Sequence, residues 1–147
     1  MRVILQTKII FTFFILFSFD LFSQQNLRTH PLISGKKEVK VQSLTQDHSG
    51  TMWIGTESGL VSYNGISYNL FLKKDGLSDN SVTALFESAD STIWIGHSNG
   101  KITLYKNGGF SAFSLTDTTG KERITSIISD SKKNIWIGTY GSGAYRY

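Results

Sequence analysis

The tripeptide Trp-Ile-Gly occurs three times at an almost constant interval in this chain of 147 residues. It begins at Trp53, Trp94 and Trp136, so successive copies are 41 and 42 residues apart. A period of this length predicts a series of similar small units that bury their apolar surface by packing against one another. A single core built from unrelated elements is therefore not expected.

The residues around each tripeptide repeat in register with it. A β-branched residue stands twelve positions before each tryptophan and an acidic or polar residue stands six before it, while a glycine and then a tyrosine follow. In chain order these positions hold Val41, Val82 and Ile124; Asp47, Ser88 and Asp130; Gly59, Gly100 and Gly143; Tyr63, Tyr105 and Tyr147. The three units are thus predicted to share one structure.

Each unit is interpreted as four short antiparallel strands. Phe, Tyr and Trp make up 13% of the chain and there is one proline, which favours strands, and no helix is expected after the leader. The predicted strands are 41–45, 52–56, 60–63 and 66–71 in the first unit and 82–86, 93–96, 102–105 and 110–113 in the second. Four-stranded units at this period are typical of β-propeller blades, so the fold class is all-β, with just under three blades.

Turn signals separate these strands. Asp47 and Gly50 suit the first and last positions of a type I turn, and the later units, which lack that glycine, are expected to have looser turns. The dipeptides Asn64-Gly65 and Asn107-Gly108 favour two-residue hairpins, because both central residues of such a turn need a positive φ.

The repeated tryptophans and glycines are predicted to serve packing rather than catalysis. A tryptophan wedged between two blades buries roughly 150 to 250 Å² of surface. Trp94 is expected to lie between two complete neighbours, whereas Trp53 and Trp136 are expected to lack part of theirs. The glycine of each tripeptide is expected where backbones approach too closely for a Cβ. These glycines are Gly55, Gly96 and Gly138.

The first residues have the order of a secretory signal peptide. Arg2 and Lys8 precede an apolar run over 9–19, which is shorter than the roughly 20 residues that a membrane anchor needs. A buried N-terminal strand or an uncleaved anchor is the alternative. The predicted divisions are 1–23 as signal peptide, 24–37 as N-terminal segment, 38–80 as blade 1, 81–122 as blade 2 and 123–147 as partial blade 3.

Charge and cysteine content exclude several classes of function. The net charge is +4, but the cations are scattered among carboxylates, so no nucleic-acid partner is expected. The chain has no cysteine, which removes disulfides, thiolate metal sites and thiol nucleophiles. After signal cleavage no membrane span is expected in this chain.

The repeat resembles that of the two-component regulator propeller family. The first unit matches nearly throughout, from the strand opener through Trp-Ile-Gly-Thr to Gly, Leu and an aromatic residue. The matching residues are Val41, Asp47, Gly50, Trp53, Ile54, Gly55, Thr56, Gly59, Leu60 and Tyr63, with Gly76 and Leu77 in the loop that follows. The second unit departs from this pattern at Ser88, His97 and Lys101.

The resemblance implies an exported sensor at the periplasmic or cell-surface side of a two-component system. Relatives of this kind carry further blades and downstream signalling domains, often a histidine kinase, and these are the expected partners together with an extracellular carbohydrate or other small ligand. This chain is expected to be an N-terminal fragment without a catalytic domain, cofactor or metal. The alternatives are a stand-alone surface propeller acting as a protein-interaction scaffold and a propeller lyase or hydrolase.

Binding in a propeller is expected on the face that carries the loops between blades and the turns between second and third strands. Aromatic, amide and charged groups on this face suit a sugar. A solvated rim without a ligand is the alternative. The candidate ligand-binding residues are Glu57, Lys74, Asp75, Asp79, Asn80, His97, Asn99, Arg123 and Tyr140.

Overall fold

A computed structural model describes residues 39–114 and 121–147, and these residues form three antiparallel sheets. The segments assigned to the leader and to 24–37 lie outside the described residues. The first sheet is β1 (Val41–Gln46), β2 (Met52–Thr56), β3 (Gly59–Tyr63) and β4 (Tyr68–Phe71); the second is β5 (Val82–Glu87), β6 (Ile93–His97), β7 (Ile102–Lys106) and β8 (Gly109–Phe113); the third is β9 (Ile124–Ser129), β10 (Ile135–Thr139) and β11 (Ala144–Arg146). The predicted all-β fold with incomplete blades is confirmed.

Within each sheet the strands follow one another in chain order, as in a propeller blade. We refer to the three sheets as blades 1, 2 and 3. The first strand of each blade lies beside the first strand of the next, so β5 lies between β1 and β9. We call these three the inner strands. The helical content of the described residues is a single 3₁₀ turn, Lys73–Asp75, in the loop between blades 1 and 2.

Each tryptophan of the first two blades faces the blade that follows it. Trp53 is 4% exposed and packs in one cluster with Val82 and Ile95 of blade 2. Trp94 is 5% exposed and packs with residues of blade 3 such as Ile124. The expectation that Trp53 lacks part of its packing is therefore wrong, because its neighbour is the following blade and that blade is present.

Blade 3 turns the corresponding side chain towards an open face. Trp136 is 37% exposed and lies in register with Ile128 on β9 and Arg146 on β11. The Arg146 guanidinium carbon lies 6.0 Å from the centre of the Trp136 ring, so a cation covers part of this indole.

The glycine that follows each Trp-Ile receives the strand opener of the next blade. A Cβ on Gly55 would lie 2.7 Å from Val82 Cγ1, and a Cβ on Gly96 would lie 2.6 Å from Ile124 Cγ2. Both distances are shorter than carbon atoms tolerate, so the blades can pack this closely only where residues 55 and 96 have no side chain.

The turns between first and second strands are equally tight in all three blades, contrary to the expectation of looser turns in blades 2 and 3. Ser91 and Lys133 occupy the place of Gly50 with φ of 62° and 66°. Each donates its backbone N–H across the turn at 2.9 Å, as Gly50 does. A left-handed backbone disfavours a side chain without forbidding it, and side-chain acceptors in the same turn offset this cost.

The two Asn-Gly hairpins differ from each other. Asn107 and Gly108 both have positive φ and form the predicted two-residue turn between Lys106 and Gly109. The prediction for Asn64-Gly65 is wrong, because Tyr63 pairs with Tyr68 and the loop therefore has four residues. Here the Asn64 side chain accepts hydrogen bonds from the backbone N–H groups of residues 66 and 67, which favours the wider turn.

Candidate functional site

One edge of the blades collects the loops on which the candidate residues lie. We call this edge the loop face, and it consists of residue 40, residues 57–58, 72–81, 98–101, 121–123 and 140–143. It is the edge at which β1, β5 and β9 begin, so the entry to each blade and the turn between its second and third strands lie side by side.

The same backbone hydrogen bond builds the loop face in every blade. The residue after the second strand donates its N–H to the carbonyl group of the residue near the start of the first strand. The pairs are Glu57 with Lys40 at 3.2 Å, Ser98 with Ser81 at 3.1 Å, and Tyr140 with Arg123 at 2.9 Å. Two predicted site residues, Tyr140 and Arg123, are thereby held together, with Tyr140 74% exposed.

The loop between blades 1 and 2 is stabilised by its own candidate residues. Asp75 Oδ2 accepts a hydrogen bond from the Leu72 N–H at 2.9 Å, and Asn80 Oδ1 accepts one from the Lys73 N–H at 2.8 Å. Asp79 Oδ1 accepts a longer bond of 3.4 Å from Ser81. These side chains fix the shape of the loop, and Lys74 projects from it as an exposed cation.

Two further candidates lie in the short turns. Glu57 Oε2 is 3.9 Å from Lys40 Nζ, which is a weak contact between exposed groups. Asn99 Oδ1 accepts a hydrogen bond from the Lys101 N–H at 3.1 Å and so closes its own turn. The Asn99 amide nitrogen can still donate hydrogen bonds.

His97 lies beneath the loop face rather than on it. The side chain is 0% exposed, and Nε2 shares a hydrogen bond of 2.8 Å with Thr103 Oγ1. Thr103 Oγ1 in turn donates to Ser78 Oγ at 3.0 Å and accepts from the Ser78 N–H at 3.0 Å. The imidazole therefore cannot touch a ligand at the surface, and it anchors the loop between blades through Thr103.

Burial lowers the pKa of His97 from 6.5 to about 4, because the charged imidazolium loses its hydration. The Asp79 carboxylate and the backbone of Ser81 and Asp79 oppose this effect without overcoming it. His97 Nδ1 makes no hydrogen bond of good geometry, so the neutral ring is the form that fits this site.

The corresponding residues of the other blades close their own turns. Thr56 Oγ1 and Thr139 Oγ1 each donate to the backbone carbonyl group across the turn, at Gly59 and Gly143 respectively, at 2.8 Å. His97 replaces this local bond with a longer-range one to Thr103. The replacement links the second hairpin of blade 2 to the loop that enters the blade.

A side-chain bridge joins the inner strands of all three blades. Arg123 Nη2 donates to Gln42 Oε1 at 2.9 Å, and Gln42 Nε2 donates to Ser81 Oγ at 3.2 Å. Gln42 and Ser81 were not among the residues expected at the site. The repeat carries no signal for them, since the positions vary between blades and the bridge spans 81 residues of sequence.

At the opposite edge of the blades, a repeated hydrogen bond stabilises the turn between the first and second strands. Each repeated tryptophan donates its indole N–H to the side chain six residues earlier: Trp53 to Asp47 at 2.8 Å, Trp94 to Ser88 at 3.2 Å, and Trp136 to Asp130 at 3.0 Å. Hydrogen bonds from Asn134 and Trp136 lower the pKa of Asp130 to about 2. This explains the acidic or polar residue of the repeat, whose partner the sequence pattern did not identify.

One charged contact at this opposite edge joins blades 1 and 2. His48 Nδ1 is 2.6 Å from Glu87 Oε1, and the His48 N–H donates to Glu87 Oε2 at 2.9 Å. The hydrogen bond and the charge of Glu87 raise the pKa of His48 above 6.5. The equivalent positions between blades 2 and 3 hold Ala89 and Ser129, so the pair is specific to the first interface.

Neither a metal centre nor a membrane span is found in the described ranges. Residues 39–114 and 121–147 contain no group of three or more His, Asp and Glu side chains placed to hold an ion. No helix within the same ranges is long and apolar enough to cross a bilayer.

The chain matches the family model of the two-component regulator propeller at residues 35–58, 76–99 and 120–141. No curated protein matches it. Three solved structures illustrate its structural relatives, and the first two are from B. thetaiotaomicron.

The extracellular domain of the proposed hybrid two-component system BT3049 aligns with a TM-score of 0.61 at 22% identity, over 71% of this chain and 15% of that one. The extracellular domain of the proposed one-component system BT4673 aligns with a TM-score of 0.64 at 23% identity, over 81% and 17%. Virginiamycin B lyase from Staphylococcus aureus gives 0.54 at 20% identity, over 73% and 40%. The chain thus spans less than a fifth of the first two structures. At identities below 25%, the TM-scores show a shared fold and nothing beyond it.

Proposed function

Because the chain belongs to the two-component regulator propeller family, we propose that it forms part of an extracytoplasmic sensor propeller that binds a carbohydrate on the loop face. The observation that carries this proposal is the joining of exposed Tyr140 to Arg123 by the backbone bond that recurs in every blade. This bond makes the two residues neighbours, and an aromatic ring and a forked hydrogen-bond donor on neighbouring residues suit a sugar, which stacks through its C–H faces and bonds through its hydroxyl groups.

The rigid support of the loop face favours binding over a solvated rim. The loops are held in shape by side chains that accept hydrogen bonds from loop N–H groups, namely those of Asp75, Asn80 and Asn99. Buried His97 connects the loop between blades 1 and 2 to the interior of blade 2 through Thr103. A preorganised surface loses less conformational entropy when a ligand binds. Lys74, Glu57 and the free donors of Asn99 and Arg123 are then available to a ligand.

Binding of oligosaccharides to the full-length protein tests this proposal. Calorimetry with a panel of soluble plant and animal oligosaccharides is expected to identify at least one ligand. Tyr140→Ala is expected to weaken the binding of that ligand by about tenfold, the effect of losing one stacked ring. Ile66→Ala is the control, because Ile66 is exposed on the hairpin between β3 and β4 at the opposite edge. Absence of binding to every oligosaccharide, or equal loss in both variants, would contradict a carbohydrate site on the loop face.

The proposal also requires export. The apolar run over 9–19 and the cations before it support a signal peptide. Residues 1–26 fused to a reporter that is active only outside the cytoplasm are expected to give activity, whereas replacement of Ile10 and Phe14 by Asp should abolish it. A reporter that stays inactive with the unaltered leader would contradict the proposed extracytoplasmic location.

The scaffold and lyase alternatives make different predictions. A scaffold binds other envelope proteins and no oligosaccharide, so calorimetry would detect no binding to any member of the panel. A lyase releases product from its substrate over time. The similarity to virginiamycin B lyase concerns the fold, and an enzyme would be recognised by turnover rather than by a stable binding isotherm.

A further inference from the structure

The bridge formed by Arg123, Gln42 and Ser81 lies where the inner strands of three blades begin. Gln42 is the second residue of β1, Ser81 immediately precedes β5, and Arg123 immediately precedes β9. Their side chains meet through bonds of 2.9 Å and 3.2 Å although the residues are up to 81 positions apart. Packing of the blades is what assembles this group.

Both ends of the Gln42 amide are engaged, so its orientation is determined. The oxygen accepts from Arg123 and the nitrogen donates to Ser81. An amide used in both directions holds the guanidinium in one place. Gln42 is thus a positioning residue for Arg123.

The guanidinium retains most of its capacity to bind. It carries five N–H groups, and one nitrogen is used on a neutral amide. No ion pair joins Arg123 to a carboxylate among residues 39–114 and 121–147. Arg123 is exposed, so a ligand can reach the unused donors.

The net charge of the loop face also favours an anion. Cations outnumber carboxylates on the loop face, and Asp75 already accepts a hydrogen bond from its own loop. The cations are Lys40, Lys73, Lys74, Lys101, Lys121 and Arg123; the carboxylates are Glu57, Asp75, Asp79 and Glu122.

We infer that Arg123, positioned by Gln42, binds the anionic group of an acidic glycan on the loop face, where the inner strands begin. This inference rests on the proposed carbohydrate site and narrows its ligand. Carboxylate and sulfate oxygens both match the planar fork of an arginine, which binds them through two parallel hydrogen bonds. The exposed ring of Tyr140, tied to Arg123 by the backbone, supplies the stacking surface for the adjoining sugar.

Paired ligands in which one kind of anionic group is masked or removed test this inference in the full-length protein. Oligogalacturonides and their methyl esters probe the carboxylate, and sulfated and desulfated chondroitin oligosaccharides probe the sulfate. In at least one of the two pairs, the more highly charged member is expected to bind about tenfold more tightly or better. Arg123→Gln should remove that difference, because it weakens the binding of the more highly charged member by a larger factor than that of the less charged member.

Two further variants separate positioning from charge. Gln42→Ala keeps the guanidinium but releases it, so it is expected to reduce the preference for the anionic ligand without abolishing it. Lys132→Gln removes one exposed cation from the turn between β9 and β10 at the opposite edge and is the control for net charge. Circular dichroism and thermal unfolding verify that every variant is folded.

The outcomes distinguish this inference from the proposed function. Oligosaccharide binding that is indifferent to ligand charge, or unaffected by Arg123→Gln, overturns the anionic subsite and leaves the carbohydrate sensor standing. A preference lost equally in Lys132→Gln overturns it too, since net charge alone would then explain the effect. Failure of every oligosaccharide to bind overturns the proposed function itself.

Discussion

Gly55 and Val82 lie in different blades, yet a Cβ on Gly55 would come within 2.7 Å of Val82 Cγ1. The relationship recurs one blade later between Gly96 and Ile124. Two positions of the repeat, the glycine and the β-branched opener, are therefore the two sides of one contact between successive blades. Shape complementarity of this kind makes each unit depend on the next.

Replacement of Gly96 by Ala is expected to destabilise the protein by about 1 to 3 kcal/mol, because the added methyl group overpacks against Ile124. Gly138→Ala is the matched control, since a Cβ there meets the Ser126 hydroxyl group of its own blade, at 2.5 Å, and a serine side chain can rotate. Urea unfolding followed by tryptophan fluorescence measures both changes. Equal losses in the two variants would contradict the proposed contact between blades.

Replacement of Trp94 by Ala should cost about 3 to 5 kcal/mol of unfolding free energy, because a buried ring is lost from the interface between blades 2 and 3. Trp136→Ala should cost clearly less, since that ring is 37% exposed against 5% for Trp94. Chemical denaturation of each variant provides the comparison. A loss below about 1 kcal/mol for Trp94 would show that the ring does not carry the interface.

Stability is expected to fall as the pH falls from 6.5 towards 4, because the unfolded chain protonates His97 at its ordinary pKa while the folded protein resists until about 4. The stabilisation is complete above pH 6.5, and the shift corresponds to roughly 3 kcal/mol lost across this window. Denaturation at pH 7 and pH 4.5 measures the slope.

His97→Thr, which restores the residue type of Thr56 and Thr139, should flatten that slope even if it lowers stability at both pH values. His48 titrates in the unaltered protein and in His97→Thr alike, so its contribution cancels when the two slopes are compared. An unchanged slope in His97→Thr would show that another group is responsible.

The contact between His48 and Glu87 is expected to have the opposite pH dependence. Its stabilisation is present below pH 6.5 and is lost as the pH rises through the raised pKa of His48, where the imidazolium loses its charge. A double-mutant cycle with His48→Gln and Glu87→Gln should give a larger coupling energy at pH 6 than at pH 9. A coupling energy independent of pH would mean that the contact does not depend on the charge of His48.

The strands could be predicted from sequence because their signals are local. The repeated Trp-Ile-Gly and the turn residues place β2 correctly and β6 to within one residue of its end, and Asn107-Gly108 forms the expected turn. Local signals were insufficient where side chains compete for the backbone, as Asn64 does in the wider hairpin. The same reason made the turns at Ser91 and Lys133 tighter than their residue types indicated.

The sequence by itself determined the repeat, the strands, the Asn107-Gly108 turn and the family, since each follows from residue type and spacing along the chain. The tertiary structure alone decided that His97 is buried beneath the loop face and that Arg123 meets Gln42. These two facts depend on distances between residues in different strands or blades. Such distances are set by how Trp53, Trp94 and the glycines let the blades pack, and spacing along the chain carries no record of them.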